Sequence, residues 1–174
     1  MIGLFFGSST GATAAAAQLI QSAFVRRFGV EVELFDVADY FLEEMAGFDY
    51  LIVGIPTWNI GQLQRDWENV IEEFDELDLS GKHAALFGLG DQAGYPGSFV
   101  DAMIFLADLL EARGATLAGA WPTDGYTFIR SWAVRDGRFV GLVLDEDNQP
   151  ELTPGRVEAW VSQLGREWML APAG

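Results

Sequence analysis

Short apolar runs alternate along the chain with longer stretches of helical spacing. Ile2–Phe6 is a compact apolar run ending in Gly7, and Ala14–Phe28 follows with helical composition and length before Gly29 closes it. Glu31–Val37 alternates acidic and apolar positions, which predicts a strand with one wet face near a sheet edge. A short helical stretch lies around Phe41–Met45. Tyr50–Ile55 is apolar throughout and bounded by Asp49 and Pro56, as suits a central strand buried on both faces. Arg65–Glu76 reads as an acidic amphipathic helix with Trp67, Val70, Ile71 and Phe74 at inward spacing. His83–Leu89 predicts a fourth strand, Phe99–Arg113 a helix ended by Gly114, and Ala115–Trp121 the start of a fifth strand. Thr153–Leu170 closes the chain as a helix, with Thr153 as N-cap and Pro154 at the first helical position.

Five β-α repetitions predict an α/β fold, a three-layer α-β-α sandwich around a parallel sheet. One segment breaks the rhythm. Asp124–Asn148 carries its own turn signal, Arg135-Asp136-Gly137-Arg138, and reads as an insertion in the fifth strand, with Phe139–Leu144 rejoining the sheet. With no internal repeat or linker, residues 1–174 are expected to form a single domain with 124–148 as an insertion within it.

Composition narrows the function. The chain has 174 residues and 50% apolar content, enough for one full core. Twenty-six acids against ten basic residues give a formal charge of −16, and Lys82 is the one lysine. Such a surface repels nucleic-acid backbones and anionic lipid, so nucleic-acid and membrane roles are excluded. Without cysteine there are no disulfides, thiolate nucleophiles, Fe–S clusters or structural zinc. A zinc site or serine–histidine triad would have to use the single imidazole, His83, to which no chemistry is assigned, and no metal site is expected. The start, MIGLFFGSST, lacks a basic region followed by a long apolar stretch, and no segment has the length of a membrane span. The expectation is a soluble, cytoplasmic protein.

Three loops lie where an open α/β sheet binds ligands, beyond the carboxyl ends of its strands. Gly7-Ser8-Ser9-Thr10-Gly11-Ala12-Thr13 offers hydroxyls and backbone N–H groups at a helix N-terminus. It lacks the Gly-Lys-Ser/Thr ending of a triphosphate loop, yet neutral dipoles suffice for a phosphomonoester; the plainer alternative is that the hydroxyls cap the helix. Pro56-Thr57-Trp58-Asn59-Ile60-Gly61 places an indole among turn residues, whereas Trp67, Trp160 and Trp168 sit at core spacing. Gly88-Leu89-Gly90-Asp91-Gln92-Ala93-Gly94-Tyr95 adds glycines for close approach, an acceptor in Asp91 and a second aromatic in Tyr95. Together they describe a phosphate cradle and two aromatic walls for a planar heterocycle.

These loops, with PTDGYTF, DGRFVGLVLDEDNQ and the closing helix, resemble the flavodoxin family, in its long-chain subgroup, over essentially the whole chain. The resemblance implies a five-stranded sheet ordered 2-1-3-4-5, noncovalent FMN, and low-potential one-electron transfer between redox proteins, cycling between semiquinone and hydroquinone. By position, Ser8, Ser9, Thr10, Gly11, Ala12 and Thr13 would hold the FMN phosphate. Pro56, Thr57, Trp58, Asn59 and Ile60 would flank one face of the ring and Tyr95 would stack on the other. Leu89, Gly90 and Asp91 would read the pyrimidine edge, with Asp147 near the ribityl or ring end. The Asn59 carbonyl would accept the N5 proton on reduction, so no residue is catalytic in the enzymatic sense. Ala12 and Ala14 depart from the polar residues common in the family's loop, and Val100 from a glutamine found in some relatives. Implied partners are basic redox proteins such as ferredoxin/flavodoxin–NADP⁺ reductase, photosystem I or nitrogenase reductase, met by a monomer and steered by the acids between Asp66 and Asp78. The rival enzyme reading is an FMN-dependent NAD(P)H:quinone reductase. A phosphorylated receiver is a weaker rival, since Gly7–Thr13 and Trp121–Asp124 lack its acids and lysine.

Overall fold

The computed structural model describes residues 1–174, ordered β1 (Ile2–Phe6), α1 (Ala12–Phe28), β2 (Val32–Asp36), β3 (Tyr50–Trp58), β4 (Gln62–Leu63), α2 (Arg65–Val70), β5 (His83–Leu89), α3 (Met103–Ala112), β6 (Thr116–Ala118), β7 (Trp121–Pro122), β8 (Val134–Arg135), β9 (Arg138–Phe139), β10 (Leu142–Leu144) and α4 (Thr153–Glu167). The main sheet runs β10-β5-β3-β1-β2 with these strands parallel. Strand alternation sends side chains to two cores. Phe5, Val53, Leu86 and Val143 pack toward α2, α3 and the excursion, while Leu4, Ile52, Phe87 and Leu144 pack toward α1 and α4. Edge strand β2 buries only Val32 and Phe35, which leaves room for the acids Glu33 and Asp36 in its run. No helix is long and apolar enough to cross a membrane.

The fifth position of the sheet is shared by two segments. β6 pairs with His83–Ala85 of β5 and β10 pairs with Phe87–Leu89, so the order 2-1-3-4-5 holds with its last strand split. The chain therefore leaves the sheet after Ala118 and re-enters at Leu142, not over 124–148. Trp121 and Phe139, expected in the fifth strand, pair instead with each other in a small antiparallel sheet, β7-β9-β8. Its two-residue turn has Asp136 and Gly137 both at positive φ, 52° and 78°, the conformation that the Asp-Gly signal favours. Phe99, Tyr126, Phe128 and Phe139 form the core of this excursion, and the Tyr126 hydroxyl donates to the Val143 carbonyl of β10 (2.5 Å). Burial pushes the Tyr126 pKa up to about 12.

Several helix boundaries differ from those read in the sequence. The acidic helix is only α2, followed by a 3₁₀ segment at Ile71–Glu76; Glu68, Glu72 and Glu76 repel at four-residue spacing, and the tighter turn still buries Phe74. α3 begins at Met103 because Val100, at φ 49°, cannot sit in a right-handed helix. α4 ends at Glu167, ahead of Met169 at φ 54°, and the Thr153 hydroxyl bonds Glu146 instead of capping the helix.

Candidate functional site

The carboxyl ends of β1, β3, β5 and β10 open on one cleft of about 340 Å³. At one end lies the loop from β1 to α1. Gly11 adopts φ 89°, a left-handed turn that starts α1 two residues before the predicted Ala14. Ser8 Oγ accepts from the Gly11 and Ala14 amides (3.1 and 3.4 Å), so this hydroxyl caps the helix, as the plainer reading allowed. Ser9 Oγ accepts from Gln64 Nε2 (2.9 Å). The N–H groups of Ser9, Thr10, Ala12 and Thr13 have no acceptor within the chain, and all four residues line the cleft. No lysine or arginine lines it. The donor set thus suits an anion held by dipoles at the start of a 17-residue helix.

Gln64, which sequence reasoning passed over, supports this loop from beneath. It is wholly buried; Oε1 accepts from the Trp67 amide (3.3 Å) and caps α2, while Nε2 also donates to Asp66 Oδ2 (2.8 Å). A Cβ at Gly7 would lie 2.2 Å from Gln64 Oε1, so Gly7 is what lets this amide reach Ser9.

At the other end stand the aromatic residues. β3 continues through Pro56, Thr57 and Trp58 into a hairpin with β4, so the expected loop shrinks to Asn59–Gly61. Asn59 takes φ 45°, its carbonyl and the Ile60 amide make no bond inside the chain, and its side chain donates to Gln62 Oε1 (3.0 Å). Pro56, Thr57 and Trp58 line the cleft. Asn59 lines a second, outer groove of about 590 Å³ with Gln62, Arg65, Glu68 and Phe105, and Ile60 is 79% exposed. That groove is larger, but neither the amide cradle nor Tyr95 lines it. Tyr95, 41% exposed, lines the cleft with Leu89, Gly90 and Asp91. The Asp91 carboxylate accepts from the Ala93 and Gly94 amides (3.1 and 2.8 Å) and from Asn148 Nδ2 (2.8 Å). The Gly94 bond, then that from Asn148, holds its pKa below the ordinary value. One Asp91 oxygen is therefore taken up by its own loop, leaving edge recognition there chiefly to backbone.

The floor between these walls is acidic. Glu146 and Asp147 line it, and partial burial, then Asp91, Asp145 and Glu146, raises the Asp147 pKa above the ordinary value. Asp145 is fully buried beneath, accepting from Gln92 N and Nε2 (3.1 and 2.6 Å), Asp147 N (3.2 Å), Asn148 N (3.0 Å) and Asn148 Nδ2 (2.9 Å). Oxygens of Asp91, Asp145 and Asp147 lie within 4.8 Å of one another, but N–H donors already occupy the first two. Gln92, Asp145 and Glu146 escaped the sequence reading; the available signal was the Asp-Glu-Asp-Asn run directly after an apolar strand. Trp67, Trp160 and Trp168 are core residues, and His83 stacks on Tyr50 (5.3 Å) at the opposite end of the sheet.

The family model described as Flavodoxin matches residues 4–160. A flavodoxin of Picosynechococcus sp. is 54% identical over 94% of this chain and 95% of its own. Flavodoxin 1 of Escherichia coli is 46% identical over 95% and 93%. Among solved structures, a Fusobacterium nucleatum flavodoxin bound to flavin mononucleotide superposes with a TM-score of 0.89 at 31% identity, covering 95% of this chain and 97% of that one.

Proposed function

The chain belongs to the flavodoxin family, and from that premise we propose that its cleft holds FMN noncovalently and that the protein carries single electrons between redox proteins. The observation that carries this reading is the pairing of unaccepted amides at a helix N-terminus with Trp58 and Tyr95 at the far end of the same cleft. FMN supplies the one-electron chemistry; the protein supplies binding, orientation and electrostatics. The amides of Ser9, Thr10, Ala12 and Thr13 bind the phosphate, with Ser8 and Gly11 shaping the loop. Trp58 and Tyr95 would cover the ring, with Pro56, Thr57, Leu89 and Gly90 along its edges, which would leave little room for a hydride donor. The protein is a carrier and not an enzyme.

Two groups tune the electron affinity. The free Asn59 carbonyl at the hairpin tip would accept a hydrogen bond from a protonated ring nitrogen, and Ile60 stays outside at the rim. Asp91, Glu146 and Asp147 oppose added negative charge, each close carboxylate by about 1–3 kcal/mol at an effective dielectric near 20. Since ~1.4 kcal/mol corresponds to about 59 mV for one electron, a few such terms make the fully reduced carrier strongly reducing. The acids of α2 and the following 3₁₀ segment flank the Trp58 hairpin and steer basic partners there, in the manner of ferredoxin/flavodoxin–NADP⁺ reductase, photosystem I or nitrogenase reductase. We place the protein in the cytoplasm as a monomer.

Purified protein should be yellow, release one FMN per chain on denaturation, and accept electrons in two separated one-electron steps. A colourless protein that does not take up added FMN overturns the proposal. Steady NAD(P)H oxidation by the protein alone would restore the quinone reductase reading.

A further inference from the structure

Asp145 and Gln92 form a buried polar pair beneath the acidic floor, and neither lines the cleft. Asp145 stands directly after β10 and is 0% exposed. Its donors come from two segments, Gln92 in the loop that carries Asp91 and Tyr95, and Asp147 and Asn148 in the acidic floor. Asn148 Nδ2 bridges back to Asp91 Oδ1 (2.8 Å), so the two segments are tied twice. Gln92 is 6% exposed, and its remaining polar atom, Oε1, accepts from the Thr127 amide (2.7 Å) in the excursion that splits the fifth strand. The Tyr95 amide in turn donates to the Asp91 carbonyl (2.9 Å). A carboxylate is suited to this point because it only accepts, and every hydrogen-bond partner it has is an N–H.

We infer that Asp145 is a positioning residue for the ring end of the cleft: it locks the Tyr95 loop to the acidic floor and, through Gln92, keys the excursion at Thr127 into that wall. This rests on the reading of the cleft as an FMN site. The amide of Asp145→Asn would set an N–H₂ group against the buried donors of Gln92 or Asn148, leaving at least one unsatisfied. The Tyr95 wall then loses its fixed height, whereas the phosphate loop shares no hydrogen bond with this network.

The test compares FMN with riboflavin, which lacks the phosphate, by titrating the apoproteins of wild type, Asp145→Asn, Gln92→Met and the double variant. The expected result is that Asp145→Asn weakens both ligands by the same factor, tenfold or more. Gln92→Met should weaken both by a smaller common factor. The double variant should be no weaker than Asp145→Asn alone, since the two act as one unit. Amide exchange at Tyr95 in the apoproteins should quicken in both single variants, while exchange at Ala14 should not. Should Asp145→Asn fail to fold, Gln92→Met carries the same affinity and exchange readouts. Affinities within twofold of wild type, losses that multiply in the double variant, or FMN weakened far more than riboflavin would each overturn the inference. Wild-type protein that binds neither flavin overturns the functional reading instead.

Discussion

The two ends of the cleft are made of opposite materials. Around Ser9–Thr13 the chain offers hydroxyls and unaccepted amides with no formal charge in the lining, and its one supporting side chain, Gln64, is neutral. Around Tyr95 it gathers Asp91, Asp145, Glu146 and Asp147. In a chain of net charge −16 no acid lines this end of the cleft, and the nearest, Asp66, lies behind Gln64. The contrast fixes which way round a ligand with one anionic tail and one flat head can lie, because a reversed molecule would set its phosphate among carboxylates. It also separates two tasks. In the proposed complex, dipoles would hold the tail without altering its charge, while the carboxylates at the head would oppose added electrons.

The comparison can be broken at either end. Tyr95→Ala has the largest expected effect: loss of an aromatic wall, at about 1–3 kcal/mol per stacked ring, should weaken FMN and riboflavin alike by about 10- to 100-fold in calorimetric titration. Gln64→Leu removes the α2 cap and the Ser9 contact, about 1–2 kcal/mol together, so FMN should weaken by about tenfold and riboflavin by less than about twofold. Equal losses for both ligands would show that the ends are not independent. Salt sharpens the contrast kinetically. Screening the repulsion between a dianionic phosphate and the acidic surface should speed FMN association by about two- to fivefold between low and physiological ionic strength, measured by stopped-flow fluorescence, while neutral riboflavin stays level.

Acid titration gives the smallest effect and the clearest sign. The folded Asp147 pKa is raised, so its favourable contribution is complete below 3.8 and is lost as pH rises through the raised folded value. Asp91 behaves oppositely: its contribution holds above 3.8 and disappears as pH falls through the lowered folded value. Because Asp147 is mostly solvated, Asp147→Asn should stabilise the apoprotein at pH 7 by only about a few tenths of a kcal/mol. It should also remove the gain in thermal stability on mild acidification.

Sequence pattern was most informative where one force decides the outcome. Uninterrupted apolar runs such as Ile2–Phe6 and Tyr50–Ile55 announced buried parallel strands, and the glycine- and hydroxyl-rich loops announced the cleft. It was least informative where tertiary partners compete. Nothing local tells that Ser8 caps α1 while Ser9 is held by a residue fifty-five positions away, or that Asp91 turns back on its own loop. Gln64, Gln92 and Asp145 resemble ordinary surface residues in composition, and only the fold shows them buried and bonded. The boundary errors have the same origin: Val100 lies in an apolar helical pattern but is forced left-handed beneath Gly90, and Trp121 finds an antiparallel partner across the excursion.

The split last strand leaves a gap one residue wide. Ala118 is registered opposite Ala85 and Leu142 opposite Phe87, so both banks are already held when the chain departs. Everything from Gly119 to Gly141 hangs from two neighbouring moorings, and lengthening such a closed segment raises its closure entropy only slowly. Its near half is tied to the molecule through Tyr126 and Thr127, and Arg135 pairs with Asp108 and Glu111 of α3, but the side chain of Asp136 and Gly137 beyond it make no such tie. That tip is accordingly the natural splice point for a foreign peptide, a fluorescent reporter or a surface tether, which would ride on the carrier without disturbing the register of the sheet.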